Sequence, residues 1–344
     1  MTLSAARTPR RSSTASAAAA AGAVAAAVLL AACGSGSAGT GPGSTGVSTG
    51  PSTVASASVT ARPGQSANAP LTGLPAASAA ALTSPIVVVD VGVLSGGAGL
   101  RGVGQADLVY QEFDNPGISR LIAAFQSQDA MVGPVAATAP VDARVVALMA
   151  MPILGFNGGP TGFVKQVGPT VATPRSTATF ATLYVHSGSL VYVSTATLRA
   201  SAPKAPAAPQ GLLDFGGPTV AAATGAASVR HVTVTVPGQA PIYWSYDGTG
   251  WVGPGGVTVT NLVVQDVPYK ALTSSKDPTV HTAELIGSGA AMLFGGGYGA
   301  AVTWSRPQPL KITNYFDSRT LGVALMPGRT WIILAPAGTK VTTS

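Results

Sequence analysis

Cys33 is the only cysteine in this 344-residue chain, and its setting gives the thiol a definite chemistry. It closes the run Leu30-Ala31-Ala32-Cys33. An apolar stretch from Ala17 to Leu30 precedes it, and Arg7, Arg10 and Arg11 lie further upstream. Positive charge, an apolar run and small residues before a cleavage point are the order of an export segment. The apolar run is about 16 residues and mostly Ala, short of the roughly 20 that cross a bilayer. Residues 1–32 are therefore predicted to leave as a lipoprotein signal peptide. The thiol, then the first mature residue, can carry a thioether-linked diacylglycerol. A single acyl chain binds a membrane only marginally, so firm anchoring calls for two or more, palmitate among them. The expected place is the outer face of the cytoplasmic membrane, with the membrane itself as a partner.

Four residues beyond the anchor could meet a ligand: Tyr110, Glu112, Arg120 and Asn157. Asp114-Asn115-Pro116-Gly117 is a strong turn signal between two strand-like runs. If Leu108 and Ile122 face a core, period two puts Tyr110, Glu112 and Arg120 on that same face, near the end of a hairpin. An acid and a base beside a tyrosine, with the Asn157-Gly158-Gly159 turn nearby, could hold a polar small ligand. The same residues admit a structural reading, in which Arg120 simply pairs with Glu112 across the hairpin.

Other combinations are weaker. His186 could join Asp107 or Glu112 in a hydrolytic group, since nucleophilic and acid–base catalysis needs such pairs within hydrogen-bond reach. His186, His231 and His281 are far apart, with no second ligand at metal spacing, and zinc wants three or four; no metal site and no cofactor are expected. Gly97-Ala98-Gly99-Leu100-Arg101-Gly102 matches a dinucleotide fingerprint. That motif needs a following helix to hold the pyrophosphate, and only four residues separate it from the next strand. Gly46-Val47-Ser48-Thr49-Gly50 matches a nucleophile elbow but has neither strand nor helix around it.

Composition narrows the classes further. The net charge of +7 falls to +4 once the three signal arginines leave, so the pI of 9.8 overstates the basicity of the mature chain. The remaining cations are scattered from Arg62 to Lys340, without the basic stripe and interleaved aromatics of a nucleic-acid groove. No nucleic-acid partner is expected. Charged residues make up 9% of the chain, and with no second cysteine its stability rests on apolar cores.

These residues must be positioned by recognisable elements. Residues 33–69 are rich in Gly, Ser, Thr, Ala and Pro with one charge. They bury too little apolar surface to offset ordering and read as a flexible tether. Residues 70–215 read as a mixed α+β domain. Strands are predicted at 86–91, 107–113, 118–127, 153–156 and 182–186, and helices at 140–151 and 161–167. Residues 202–227, rich in Pro, Ala and Gly, read as a connection. Residues 228–341 read as a β-rich barrel or sandwich-like domain, with short strands at 232–236, 257–264, 283–287, 292–294, 301–304, 310–315 and 330–334. Trp244, Trp251, Trp304 and Trp331 are expected in its core. The fold class is thus α+β, a mixed domain followed by a mainly β one, on a lipid-anchored tether.

Several segments resemble the YerB-like bacterial lipoproteins, a family of unknown function with a two-part conserved region. They are Pro70-Leu71-Thr72-Gly73-Leu74-Pro75, Gln105-Ala106-Asp107-Leu108-Val109-Tyr110, Ile118 to Ser127 and Val132-Gly133-Pro134-Val135. In the second half they are Asn261 to Gln265, Leu285 to Gly289 and Pro327-Gly328-Arg329-Thr330-Trp331. The resemblance spans about 70–340 and implies the family's fold. It also implies charged positions that are missing here. Gln111 stands where an acid is usual, Ala136 to Ala139 replace a basic-Ser-Ala-basic pattern, and Ser189-Leu190 fall where a His-Asn pair is usual. The chain accordingly reads as a non-catalytic envelope lipoprotein that binds a ligand or an envelope protein. A cell-envelope hydrolase and the solute-binding lipoprotein of an importer are the alternatives.

Overall fold

The computed structural model describes residues 68–93, 99–115, 118–202, 211–272 and 280–344. Cys33, the signal peptide, the tether up to residue 67 and the Gly46–Gly50 motif lie outside them, as do Gly97 and Ala98 of the fingerprint.

Three strands organise the first half: β1 (Val87–Val93), β2 (Leu108–Asn115) and β3 (Ile118–Phe125). Both β1 and β2 pair antiparallel with β3. The β-branched run at 87–91 suits a strand buried on both faces. Ile153–Phe156 joins β1 in parallel, and Thr173–Ser176 extends the sheet beyond it.

The second half enters this same sheet. Thr330–Ala335 lies parallel both to β2, with Leu108 opposite Thr330, and to Asn261–Asp266. All six of its residues are buried, as expected of a parallel strand in mid-sheet. Gly287–Gly295, Tyr298–Arg306 and Asn314–Phe316 complete that side, giving an 11-stranded sheet shared by both halves.

Side chains alternate across this sheet into two cores. On one face Val88, Leu108, Ile122, Val263 and Ile332 pack under the Pro140–Val146 helix through Val141 and Val145. On the other, Val89, Val109, Leu121, Trp331 and Ile333 meet Val232, Val234, Trp244 and Trp251 of a five-stranded sheet. That second contact stacks two sheets, and strands of both halves contribute to the larger one. All four tryptophans are buried.

Several boundaries differ from the sequence reading. The helix expected over 140–151 stops at Val146. Ala150 and Met151 take left-handed φ of 51° and 62°, and Pro152 disfavours helical backbone at the residue before it. Residues 182–183 form part of a 3-10 turn, and the strand is Tyr184–Ser187. The expected strand 257–264 breaks at Thr260 into Thr258–Val259 and Asn261–Asp266. That over 283–287 is the end of one strand, Val280–Ala283, and the start of the next. Within the 202–227 connection, Leu212, Leu213 and Val220 are buried in the first core. No helix among the described residues is long and apolar enough to cross a membrane.

Candidate functional site

Period two places Tyr110, Glu112 and Arg120 on one face as expected, but that face is covered. Arg120 is 3% exposed, Glu112 and Asp90 0%, and Asp142 0%. One guanidinium serves three carboxylates. Its Nη2 is 2.9 Å from Asp90 Oδ1 and 2.9 Å from Asp142 Oδ1, and its Nη1 is 3.8 Å from Glu112 Oε2. Each carboxylate belongs to a different element. Asp90 is on β1. Asp142 Oδ2 accepts from the Ala139 backbone N–H and the Thr138 hydroxyl, capping the helix above. Glu112 Oε1 accepts from the Ala283 backbone N–H, fixing the Val280–Ala283 strand over the sheet. Arg120 thus clamps a helix and, through Glu112, the Val280–Ala283 strand to the sheet. Tyr110 is buried beside it, and burial raises its phenol above the ordinary range against the opposing field of Arg306.

Asn157 stays outside this cluster, exposed on the surface. Its Oδ1 accepts from the Thr177 hydroxyl. The turn it opens touches the cluster only through Thr138, whose backbone N–H donates to Gly158 O. The open sheet face anticipated around these four residues is filled by the Pro140–Val146 helix and the Val280–Ala283 strand. The sequence showed the pair but not its cover, because Asp142 and Ala283 come from distant segments.

Asp107 and Glu112, the candidate partners of His186, are engaged by other groups. Asp107 is saturated by the backbone N–H groups of Gln126 and Ser127 and by the Ser127 hydroxyl. Glu112 is held as described, five residues away along β2. His186 is exposed on the Tyr184–Ser187 strand. Among the described residues no group of three His, Cys, Asp or Glu side chains could hold a metal. After Gly102 comes only the 3-10 turn Val103–Gln105, so no helix N-terminus is present for a pyrophosphate.

The larger opening is on the other face of β2 and β3. A groove of about 640 Å³ runs between the main sheet and the edge of the five-stranded sheet. Its floor is Val93, Gln111, Phe113, Ser119, Leu121 and Trp331, and its wall is Gly238 to Tyr243 and Gly253 to Gly255, with Leu100 at one side. Among the described residues no charged side chain lines it. A polar chain crosses the floor. The Trp331 indole N–H donates to Gln111 Oε1 at 3.1 Å, and Gln111 Nε2 donates to Ser119 Oγ at 3.2 Å. An indole nitrogen can only donate, so the glutamine must turn its oxygen to Trp331 and its amide to Ser119. The serine oxygen then accepts, so its own O–H remains available as a donor. Sequence reasoning missed this site. Its one visible sign was Gln111 in place of an acid.

The geometry can be set beside known proteins. Residues 71–207 match the family described as Protein of unknown function (DUF3048) N-terminal domain, and residues 254–332 match its C-terminal domain. This chain belongs to that two-part, YerB-like family. The fold agrees: the crystal structure of the YerB protein from Bacillus subtilis superposes with a TM-score of 0.65 at 19% identity, over 80% of this chain and 99% of that one. No curated protein sequence matches the chain. In this YerB-like chain the two matched regions are the two flanks of one sheet, joined where β2 meets Thr330–Ala335.

Proposed function

We propose that the chain is a lipid-anchored binding protein without catalytic activity, and that its ligand lies in the groove between the two sheets. The observation that carries the reading is an uncharged lining around a polar chain that ends on a donor. Ligand sites usually have volumes of about 300–1,000 Å³, mostly apolar walls and a few placed polar groups. This groove has that size and make-up. An uncharged site rejects ions, which would lose hydration without a partner. The ligand is therefore an uncharged molecule with an apolar body and a carbonyl-type acceptor for the Ser119 hydroxyl. Tyr243, 66% exposed, offers a ring at the rim for it to stack on.

Ligand-observed NMR on the full chain tests this with matched neutral, cationic and anionic amide fragments. Neutral fragments should bind, and Ser119→Ala should weaken them. Equal binding of all three sets, or no effect of Ser119→Ala, would refute the reading. The anchor is tested separately. Cys33→Ser should remove lipidation and leave the protein unprocessed or released. A mature-size band that stays with membranes after a carbonate wash would exclude the lipobox.

A further inference from the structure

A second cavity, of about 320 Å³, opens near the first residue of β2. The groove is reached at Gln111 and Phe113, so the two sites lie roughly 10–17 Å apart along β2 at about 3.3 Å per strand residue. In the second cavity stands Arg329, a partly buried arginine with no carboxylate within 4 Å among the described residues. A guanidinium has five N–H donors. The protein uses one, from Nη1 to Gly104 O at 2.7 Å. Arg329 lines the cavity together with Thr72, Thr258 and Thr260.

The arginine is held ready. Its backbone carbonyl accepts from the N–H groups of Thr260 and Asn261, at 2.9 and 3.0 Å, and the preceding Gly328 N–H donates to Thr72 O at 2.7 Å. Gly328 has φ +144°, and a Cβ there would lie 1.9 Å from Thr260 Oγ1. The backbone at 328 can approach Thr260 this closely only because residue 328 lacks a side chain. A fork fixed in advance loses little freedom on binding.

From these contacts we infer that this cavity binds a carboxylate group, on the Arg329 fork with the threonine hydroxyls at its sides. Asp107 also lines the cavity. Its oxygens are occupied by three donors, but its charge remains. A planar monoanion fits the fork bidentately, whereas a phosphate dianion meets more repulsion from Asp107. The site is thus selective for a carboxylate over a phosphate.

The test is a titration of the isotope-labelled full chain in detergent with sodium acetate, inorganic phosphate and sodium chloride at matched ionic strength, followed on the Gly328 and Thr260 amides. Acetate should give a saturable shift, phosphate a weaker one and chloride none. Arg329→Gln should abolish the acetate response. Thr258→Val, which leaves the Gly104 contact intact, should weaken it about fivefold, the worth of one net hydrogen bond. Should Arg329→Gln disturb the rest of the spectrum, Arg329→Lys keeps the charge without the fork and should weaken acetate in its place. Identical shifts with all three salts would overturn the inference, as would an acetate response that survives loss of the fork.

Discussion

Arg120→Met is the most informative substitution in this chain. Methionine keeps much of the apolar stem of arginine and removes the cation. Three carboxylates, none of them exposed, would lose the guanidinium that lies 2.9, 2.9 and 3.8 Å away. Removing one partner of a buried pair costs about 3–5 kcal/mol, because the remaining charge has no water to return to. Three anions on one cation put this site at the upper end, about 4–5 kcal/mol. At roughly 2 °C per kcal/mol for a unit of this size, the melting temperature should fall by about 8–10 °C. The anions differ from the cation. Three carboxylates already outnumber the guanidinium, so Glu112→Gln removes excess negative charge while its amide oxygen can still accept from Ala283 N–H. That change should cost about 1 kcal/mol, the scale of one net hydrogen bond. In the Arg120→Met background it should restore stability. Differential scanning calorimetry with urea titration of the four proteins measures all of this. A loss below about 1 kcal/mol for Arg120→Met, the range of an exposed pair, would refute a clamp. So would Glu112→Gln costing as much as Arg120→Met.

Three further outcomes follow from other sites. Gln111→Leu strips the acceptor from a buried indole N–H and should cost about 1–3 kcal/mol, whereas adding Trp331→Phe should recover part of the loss; a strictly additive double variant in urea unfolding would show that the two are not coupled. Gly328→Ala should destabilise by at least about 1–3 kcal/mol through its φ of +144° and the Thr260 clash, and an unchanged melting temperature would contradict the backbone described. Asp317 is held below the ordinary carboxylate range, first by the Thr224 hydroxyl and then by the N–H groups of Leu321, Thr224 and Arg319, which outweigh its burial. A depressed folded-state pKa gives stability that is present above the unfolded value near 4 and lost as pH falls toward the folded one. Asp317→Asn should therefore be weaker than wild type at pH 6 and approach it in urea midpoint near pH 2.5, and a gap that stays constant with pH would exclude this account.

Much of the fold was legible because its signals are local. The β-branched run at 87–91, the turn signal at 114–117 and the period-two valines at 232–236 each specify an element without outside help. What failed was set by partners far away in sequence. Ile242–Tyr246 buries Ile242 and Trp244 alternately, a period-two signal hidden by the neighbouring Pro241 and Gly248. The 140–151 helix was overextended because Leu148 and Met149 continue its apolar period, while the left-handed pair at 150–151 ends it. For the site, β alternation placed Tyr110, Glu112 and Arg120 together correctly. Alternation cannot say which side of a sheet is covered, and the Pro140–Val146 helix and Val280–Ala283 decide that.

The place of Thr330–Ala335 also governs how the chain can reach its fold. This strand sits between β2 and Asn261–Asp266, so the middle of the sheet is supplied by a segment far downstream of β2 in the sequence. Leu108 must wait for Thr330, a closure across more than 200 residues. Folds built on such distant pairings form slowly, because loop entropy is lost before contacts repay it. On the export route proposed above, the chain would cross the membrane with its amino end first. The first half would then present β2 as an unpaired edge until Thr330–Ala335 arrived, open to association with other chains. Loss of Thr330–Ala335 would remove this strand and leave both halves without their shared centre.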